Sequence, residues 1–165
     1  MVSLSDVVQT TTRGLQTGQI GRPVALRVIA HTIADHGELQ GTAAWLLRQA
    51  ESWFNSRVQN AIVLGGVESG QFSVLASFTS GASALLSIGT PVADHKILEL
   101  VLWGDHGTLA WQPEATSGSQ VTSDHQPPLD SRATELLDQL QTNWMTESNP
   151  PPQTSAPGLS AAAPT

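Results

Sequence analysis

Apolar positions along this chain recur with two periods, and each switch of period marks an element. From Ser5 to Thr17, Val7, Val8, Thr11 and Leu15 approximate one helical face. Ser5 or Asp6 is placed to cap the start of that helix, and Gly18 stops it where a left-handed cap is usual. Arg22 to His31 alternates: Val24, Leu26 and Val28 point one way and Ala25, Arg27 and Ile29 the other, which is the period of a strand. The stretch "DHGELQG" breaks the alternation. From Thr42 to Phe54 the residues Ala43, Leu46, Leu47, Ala50, Trp53 and Phe54 return at three- and four-residue spacing. This predicts an amphipathic helix with Arg48, Glu51 and Ser52 on its polar side.

Four strands are then expected, at Arg57 to Leu64, Gln71 to Thr79, Ala82 to Gly89 and Lys96 to Trp103. The segments "GGVESG" and "SG" between the first three have the composition of hairpin turns. In "WGDHGTLAW" a tight turn leads to a short further strand, Thr108 to Trp111. Such short connections imply antiparallel pairing, because a parallel crossover needs a dozen residues or more. Gln112 to Pro128 is polar and turn-rich, the composition of an exposed loop. Leu129 to Asn143 carries a stripe of Leu129, Ala133, Leu136, Leu137 and Leu140, which predicts a third helix capped by Asp130 or Ser131. From Ser148 the sequence "SNPPPQTSAPGLSAAAPT" has the composition of a disordered tail. The expected division is one domain over residues 1–147 and a Pro/Ala/Ser tail over 148–165.

These elements add up to an α+β fold: an open, predominantly antiparallel sheet of about six strands with helices on one face. Several strands are apolar on both sides. Phe72, Val74, Ala76 and Phe78 oppose Leu75, while Leu98, Leu100 and Leu102 alternate with Ile97, Val101 and Trp103. Helices on one side leave the other face bare, and a bare apolar face marks an interface. Phe72, Val74, Phe78, Leu98, Leu100 and Leu102 are the candidates for that interface.

Composition narrows the chemistry. The 165 residues include 7 Lys plus Arg against 14 Asp plus Glu, a net charge of -7, and no basic cluster stands out, so nucleic acid and anionic membranes are not expected partners. There is no cysteine, which excludes disulfides, thiolate metal sites and cysteine nucleophiles. Apolar runs fall far short of the ~20 residues of a membrane helix, and the N-terminus lacks a signal pattern. A soluble, cytoplasmic protein is expected. Asp-His pairs occur at Asp35-His36, Asp94-His95, Asp105-His106 and Asp124-His125. Their residue types suit a metal. Yet His95 and His106 flank a strand of about eight residues, and at ~3.3 Å per residue its ends lie more than 20 Å apart. No metal site is assigned. There is no G-x-S-x-G nucleophile elbow. The five tryptophans are read as core before sugar platforms: Trp53 lies on a helical stripe, Trp45 off it, and Trp103 and Trp111 flank the late turn.

The order of motifs resembles the C-terminal domain of the glucose–fructose oxidoreductase and inositol dehydrogenase family (Gfo/Idh/MocA). The matching residues are Gly18, Ile20, Gly21 and Pro23 of a G-x-I-G-x-P turn, then Trp53, then Gly81, then Gly104, Gly107 and Leu109 of a G-x-x-G-x-L turn. The match runs from Ser5 to Trp111. The family's other domain binds a dinucleotide on a G-x-G-x-x-G loop, and no such loop, nor the family's E-K-P segment, is present here. The resemblance also implies a helix-borne H-x-x-D acid–base pair. Leu46 and Gln49 stand at those positions, and neither shuttles a proton near neutral pH. The leading expectation is therefore a non-catalytic oligomerisation or interaction module with no catalytic, cofactor-binding or metal-binding residue. It would act as a homo-oligomer. The alternatives are a split NAD(P)-dependent oxidoreductase, with a separate Rossmann-bearing subunit, and a small-molecule binder for a sugar or polyol. Titration with NAD and NADP in both redox states is expected to show no saturable binding; a saturable micromolar isotherm overturns this reading.

Overall fold

The computed structural model describes residues 3–31, 36–66, 69–91, 97–112 and 129–148. The chain runs α1 (Leu4–Gln16), β1 (Pro23–His31), α2 (His36–Phe54), β2 (Val58–Gly66), β3 (Gln71–Phe78), β4 (Ser83–Gly89), β5 (Ile97–Gly104), β6 (Thr108–Trp111) and α3 (Ser131–Ser148). The six strands form one open sheet in the order β2-β3-β4-β1-β5-β6. All neighbours pair antiparallel except β1 and β4, which run parallel. That pair escapes a reading based on short turns. The helix and two strands between β1 and β4 supply the long crossover that parallel pairing needs. The tail expected over 148–165 lies, apart from Ser148 at the end of α3, outside the described residues.

Residues paired directly across a ladder share a face of the sheet. The registers place Val63, Val74, Leu86, Val28 and Leu100 in one row across five strands. A second row runs Phe72, Ile88, Ala30 and Leu98, and a third Ala61, Ala76, Ala84, Leu26 and Leu102. All of these residues are buried. The helices cover this face, with α2 over β4, β1 and β3, α3 beside α2 over β2, and α1 against α2 and β6. The face assignment made from the sequence is corrected here. Phe72, Val74, Phe78, Leu98, Leu100 and Leu102 are 0–2% exposed and pack beneath the helices, so they form the core and not an interface. Their long apolar side chains fill the space that α2 presses against, and the shorter alternating serines take the outer side.

Helix α2 begins at His36, not at Thr42. Leu39 extends its stripe by one turn and is fully buried, and the Thr42 hydroxyl donates to the Glu38 carbonyl at 2.8 Å. Gly37 and Gly41 weaken this first stretch by about 1 kcal/mol each relative to alanine, which is why the sequence pattern reads as broken there; burial of Leu39 offsets it. Helix α3 starts at Ser131, after Asp130, whose Oδ1 accepts from the Ala133 amide at 2.7 Å in the manner of an N-cap. It also runs past Asn143 to Ser148. The Nδ2 of Asn143 donates to the Ala61 carbonyl of β2 at 2.7 Å, on the side of that edge strand away from β3.

The two glycine-bearing turns interlock. The Arg22 amide donates to Asp105 Oδ1 at 2.8 Å, the Asp105 amide to the Arg22 carbonyl at 3.0 Å, and the His106 amide to the Ile20 carbonyl at 3.0 Å. A Cβ on Gly21 would strike the Asp105 carboxylate, and one on Gly104 the Ile20 carbonyl oxygen. The motif residues far apart in sequence are thus one contact, which seats the start of β1 on the β5–β6 hairpin. Gly18 differs: its φ is 71°, but nothing lies within 4 Å of an added Cβ. Thermal unfolding should separate the two cases. Gly104→Ala is expected to cost about 3 kcal/mol or more, because backbone must move. Gly18→Ala is expected to cost about 1–2 kcal/mol, the conformational term alone; equal losses would contradict the interlock.

Candidate interface on the open sheet face

The face away from the helices is built from the alternate residue of every strand. One row across it is Ile62, Leu75, Leu85, Arg27, Val101 and Ala110. The next is Leu64, Ser73, Ser87, Ile29 and Glu99, and on the other side lie Asn60, Ser77, Ser83, Ala25, Trp103 and Thr108. Leu64 is 52% exposed and Leu75 46%; Ile62, Leu85, Ile97 and Trp103 are also exposed. These are the interface candidates that a reading of the sequence misplaces. A signal for them is present: Ser73, Ser77, Ser83 and Ser87 alternate with the buried residues of β3 and β4, and polar partners mark the outward side. Arg27 is exposed and Glu99 half-buried on this face, and among the described residues neither makes an ion pair or side-chain hydrogen bond. His31 closes the end of β1, with its Nε2 buried and without a hydrogen-bond partner among the described residues.

On the helical side, the polar groups converge at the C-terminal end of α2. Glu51 is 6% exposed and is, among the described residues, the one buried charged side chain. Its Oε1 accepts from Arg132 Nη2 at 2.6 Å and from the Val58 amide at 2.9 Å, and its Oε2 accepts from Arg132 Nε at 3.0 Å. One carboxylate therefore ties α2, β2 and α3 together. Burial by itself pushes the Glu51 pKa up, but the Arg132 guanidinium and the Val58 amide outweigh it and hold the carboxyl below the ordinary glutamate range. Arg132 also reaches Glu135 at 2.6 Å, and Arg48 pairs with Asp130 at 3.1 Å. Arg48, Glu51, Arg132 and Glu135 line an open polar cleft with Ser52, Asn55, Ser56 and Arg57. Because Arg48 and Arg132 are engaged by neighbouring carboxylates, the cleft acts as a clamp between helices.

The catalytic positions implied by the resemblance are occupied by groups without acid–base function. Leu46 is fully buried in the core and Gln49 is half-buried on the same helix. Of the four Asp-His pairs, only Asp105-His106 lies wholly within the described residues. There Asp105 serves the Arg22 amide, and the exposed His106 stands 3.8 Å from it. The side chains of Asp35-His36, Asp94-His95 and Asp124-His125 lie outside the described set. Among the described residues no three His, Asp or Glu side chains gather to hold a metal. Trp53 packs in the core and donates from Nε1 to Thr12 Oγ1 at 3.0 Å, Trp45 and Trp111 are half-buried, and Trp103 lies on the open face.

This mixed sheet with three helices on one face has the fold of a domain found in oxidoreductases of the Gfo/Idh/MocA type. The individual structures that share it include a myo-inositol dehydrogenase from Lactobacillus casei in complex with NAD(H) and myo-inositol, at TM-score 0.62 and 11% identity over 84% of this chain and 56% of that one. A probable dehydrogenase from Thermotoga maritima is similar at TM-score 0.55 and 15% identity, covering 88% of this chain and 53% of its own. A scyllo-inositol dehydrogenase from Lactobacillus casei with bound NAD(H) and scyllo-inositol is similar at TM-score 0.53 and 13% identity, covering 87% and 52%. The chain thus spans about half the length of these neighbours. No family model and no curated protein matches it. No helix among the described residues is long and apolar enough to cross a membrane.

The clamp yields an acid-stability prediction. A carboxylate whose pKa is depressed on folding stabilises the fold above its unfolded value near 4.3 and loses that contribution as pH falls through the lower folded value. Glu51→Gln is expected to lower stability at pH 7 by about 3 kcal/mol, the low end for breaking a buried pair, since Arg132 keeps Glu135 and some solvent. The variant is also expected to lose part of the wild-type decline in stability below about pH 4.3. Urea melts across that pH range check both, and an unchanged acid slope contradicts the clamp.

Proposed function

We propose that this chain is a non-catalytic oligomerisation module related to the C-terminal domain of Gfo/Idh/MocA oxidoreductases, and that a second copy covers its open sheet face. The observation that carries this reading is the exposed apolar row on that face, Ile62, Leu75 and Leu85, flanked by Leu64 and Trp103. Fully burying side chains of this size is worth about 1.5–3 kcal/mol each, so covering several half-exposed ones is a substantial driving force. The size fits too. Six strands at ~4.8 Å spacing and roughly 25 Å of strand make a plane of about 600 Å², whose corrugated surface approaches the ~800 Å² per partner of a stable interface. A two-fold pair is the simplest arrangement, because one patch then serves both chains. The full burial of Leu46 supports the non-catalytic part, since it places a core residue where the resemblance implies an acid–base histidine.

Sedimentation velocity at micromolar concentration is expected to show a dimer. Leu75→Glu or Leu85→Glu should convert it to a folded monomer, with circular dichroism unchanged, because both side chains lie outside the core. A wild-type chain that stays monomeric across the micromolar range, with no partner protein co-purifying on this face, overturns the reading.

A further inference from the structure

The open face carries two opposite charges, Arg27 and Glu99, that have no ionic partner among the described residues. Arg27 lies in the middle of the apolar row, between Leu85 on β4 and Val101 on β5. Glu99 lies on β5 opposite Ile29, one step diagonally from Arg27. Diagonal neighbours across an antiparallel pair are about 7–8 Å apart, and these two do not close to an ion pair within the chain. Among the described residues of this face there is no other Asp, Glu, Lys or Arg. A partner that covers the apolar row must also cover Arg27, and a guanidinium taken out of water without a carboxylate opposes association strongly. The covering surface therefore needs an acid at one place, and the same face of a second copy offers one.

Resting on the face-to-face reading above, the geometry points to a two-fold dimer in which Arg27 of each copy pairs with Glu99 of the other. A two-fold axis lying in the plane between two stacked sheets, midway between the two positions, sets each residue over the other's counterpart. The faces of packed sheets stand ~10 Å apart, a gap that an arginine and a glutamate reaching from opposite sides span. The two cross-copy pairs fix the angle and register of the sheets, which a purely apolar contact leaves loosely specified.

Charge reversal tests the register separately from the face. Arg27→Glu and Glu99→Arg each place two like-charge contacts in the dimer, so each alone is expected to weaken association by about tenfold or more. The double variant should restore it. The stronger readout is a mixture of the two single variants. On this face the Arg27→Glu chain carries two acids and the Glu99→Arg chain two guanidiniums. The two chains complement each other twice, so the mixture should dimerise while neither variant does alone. Because neither residue has a partner among the described residues, melting of dilute protein should be unchanged, which separates loss of association from loss of folding. A dimer broken by Leu75→Glu but indifferent to both reversals, or one not recovered on mixing, overturns the register and leaves the face reading intact. A wild-type monomer overturns both.

Discussion

Direct pairing across the ladders is the constraint on which the rest of this structure depends. Each paired residue inherits its partner's face, so one set of registers decides the sidedness of all six strands at once. β1 is where this matters most. It is paired in parallel with β4 and antiparallel with β5, and it transmits the choice of face from one half of the sheet to the other. A one-residue slip of β1 would turn Arg27 and Ile29 into the core and push Leu26, Val28 and Ala30 outward. The interlocked turns at Gly21 and Gly104 hold β1 against such a slip, since they pin its first residues to the β5–β6 hairpin.

Charge is distributed by the same sidedness. On the helical side, the buried Glu51 is surrounded by donors from three elements and needs nothing from outside the chain. On the open side, Arg27 and Glu99 have no ionic partner among the described residues. The contrast separates a charge that completes a fold from charges left available to a second surface.

Much of this architecture is readable in the residues. The three helices, the six strands and the open α+β layer follow from periods and turns, and strand bounds fall within a residue or two. Three features are not readable, each for a physical reason. The first turn of α2 is hidden by Gly37 and Gly41, which lower helix propensity while Leu39 supplies tertiary burial that no local pattern reveals. The parallel β1–β4 pair is non-local, and turn chemistry speaks only for neighbours in sequence. The outward face is misread because both sides of β5 are apolar; Ile97, Val101 and Trp103 resemble a core set as well as Leu98, Leu100 and Leu102 do. The serines of β3 and β4 break that tie once the registers connect those strands to β5. The motif glycines are legible as a pattern, but their mutual contact across more than eighty residues requires the fold.

The bond from Asn143 to the Ala61 carbonyl bears on whether another strand can add to the β2 edge of the sheet. An edge strand with free backbone groups invites another strand to add, and then another, without limit. Here the rim of β2 is occupied from the helical side twice, by Asn143 at Ala61 and by Glu51 at the Val58 amide. Lateral growth of the sheet from chain to chain meets side chains already bonded to those groups. At these two groups the helices close the β2 rim to an added strand.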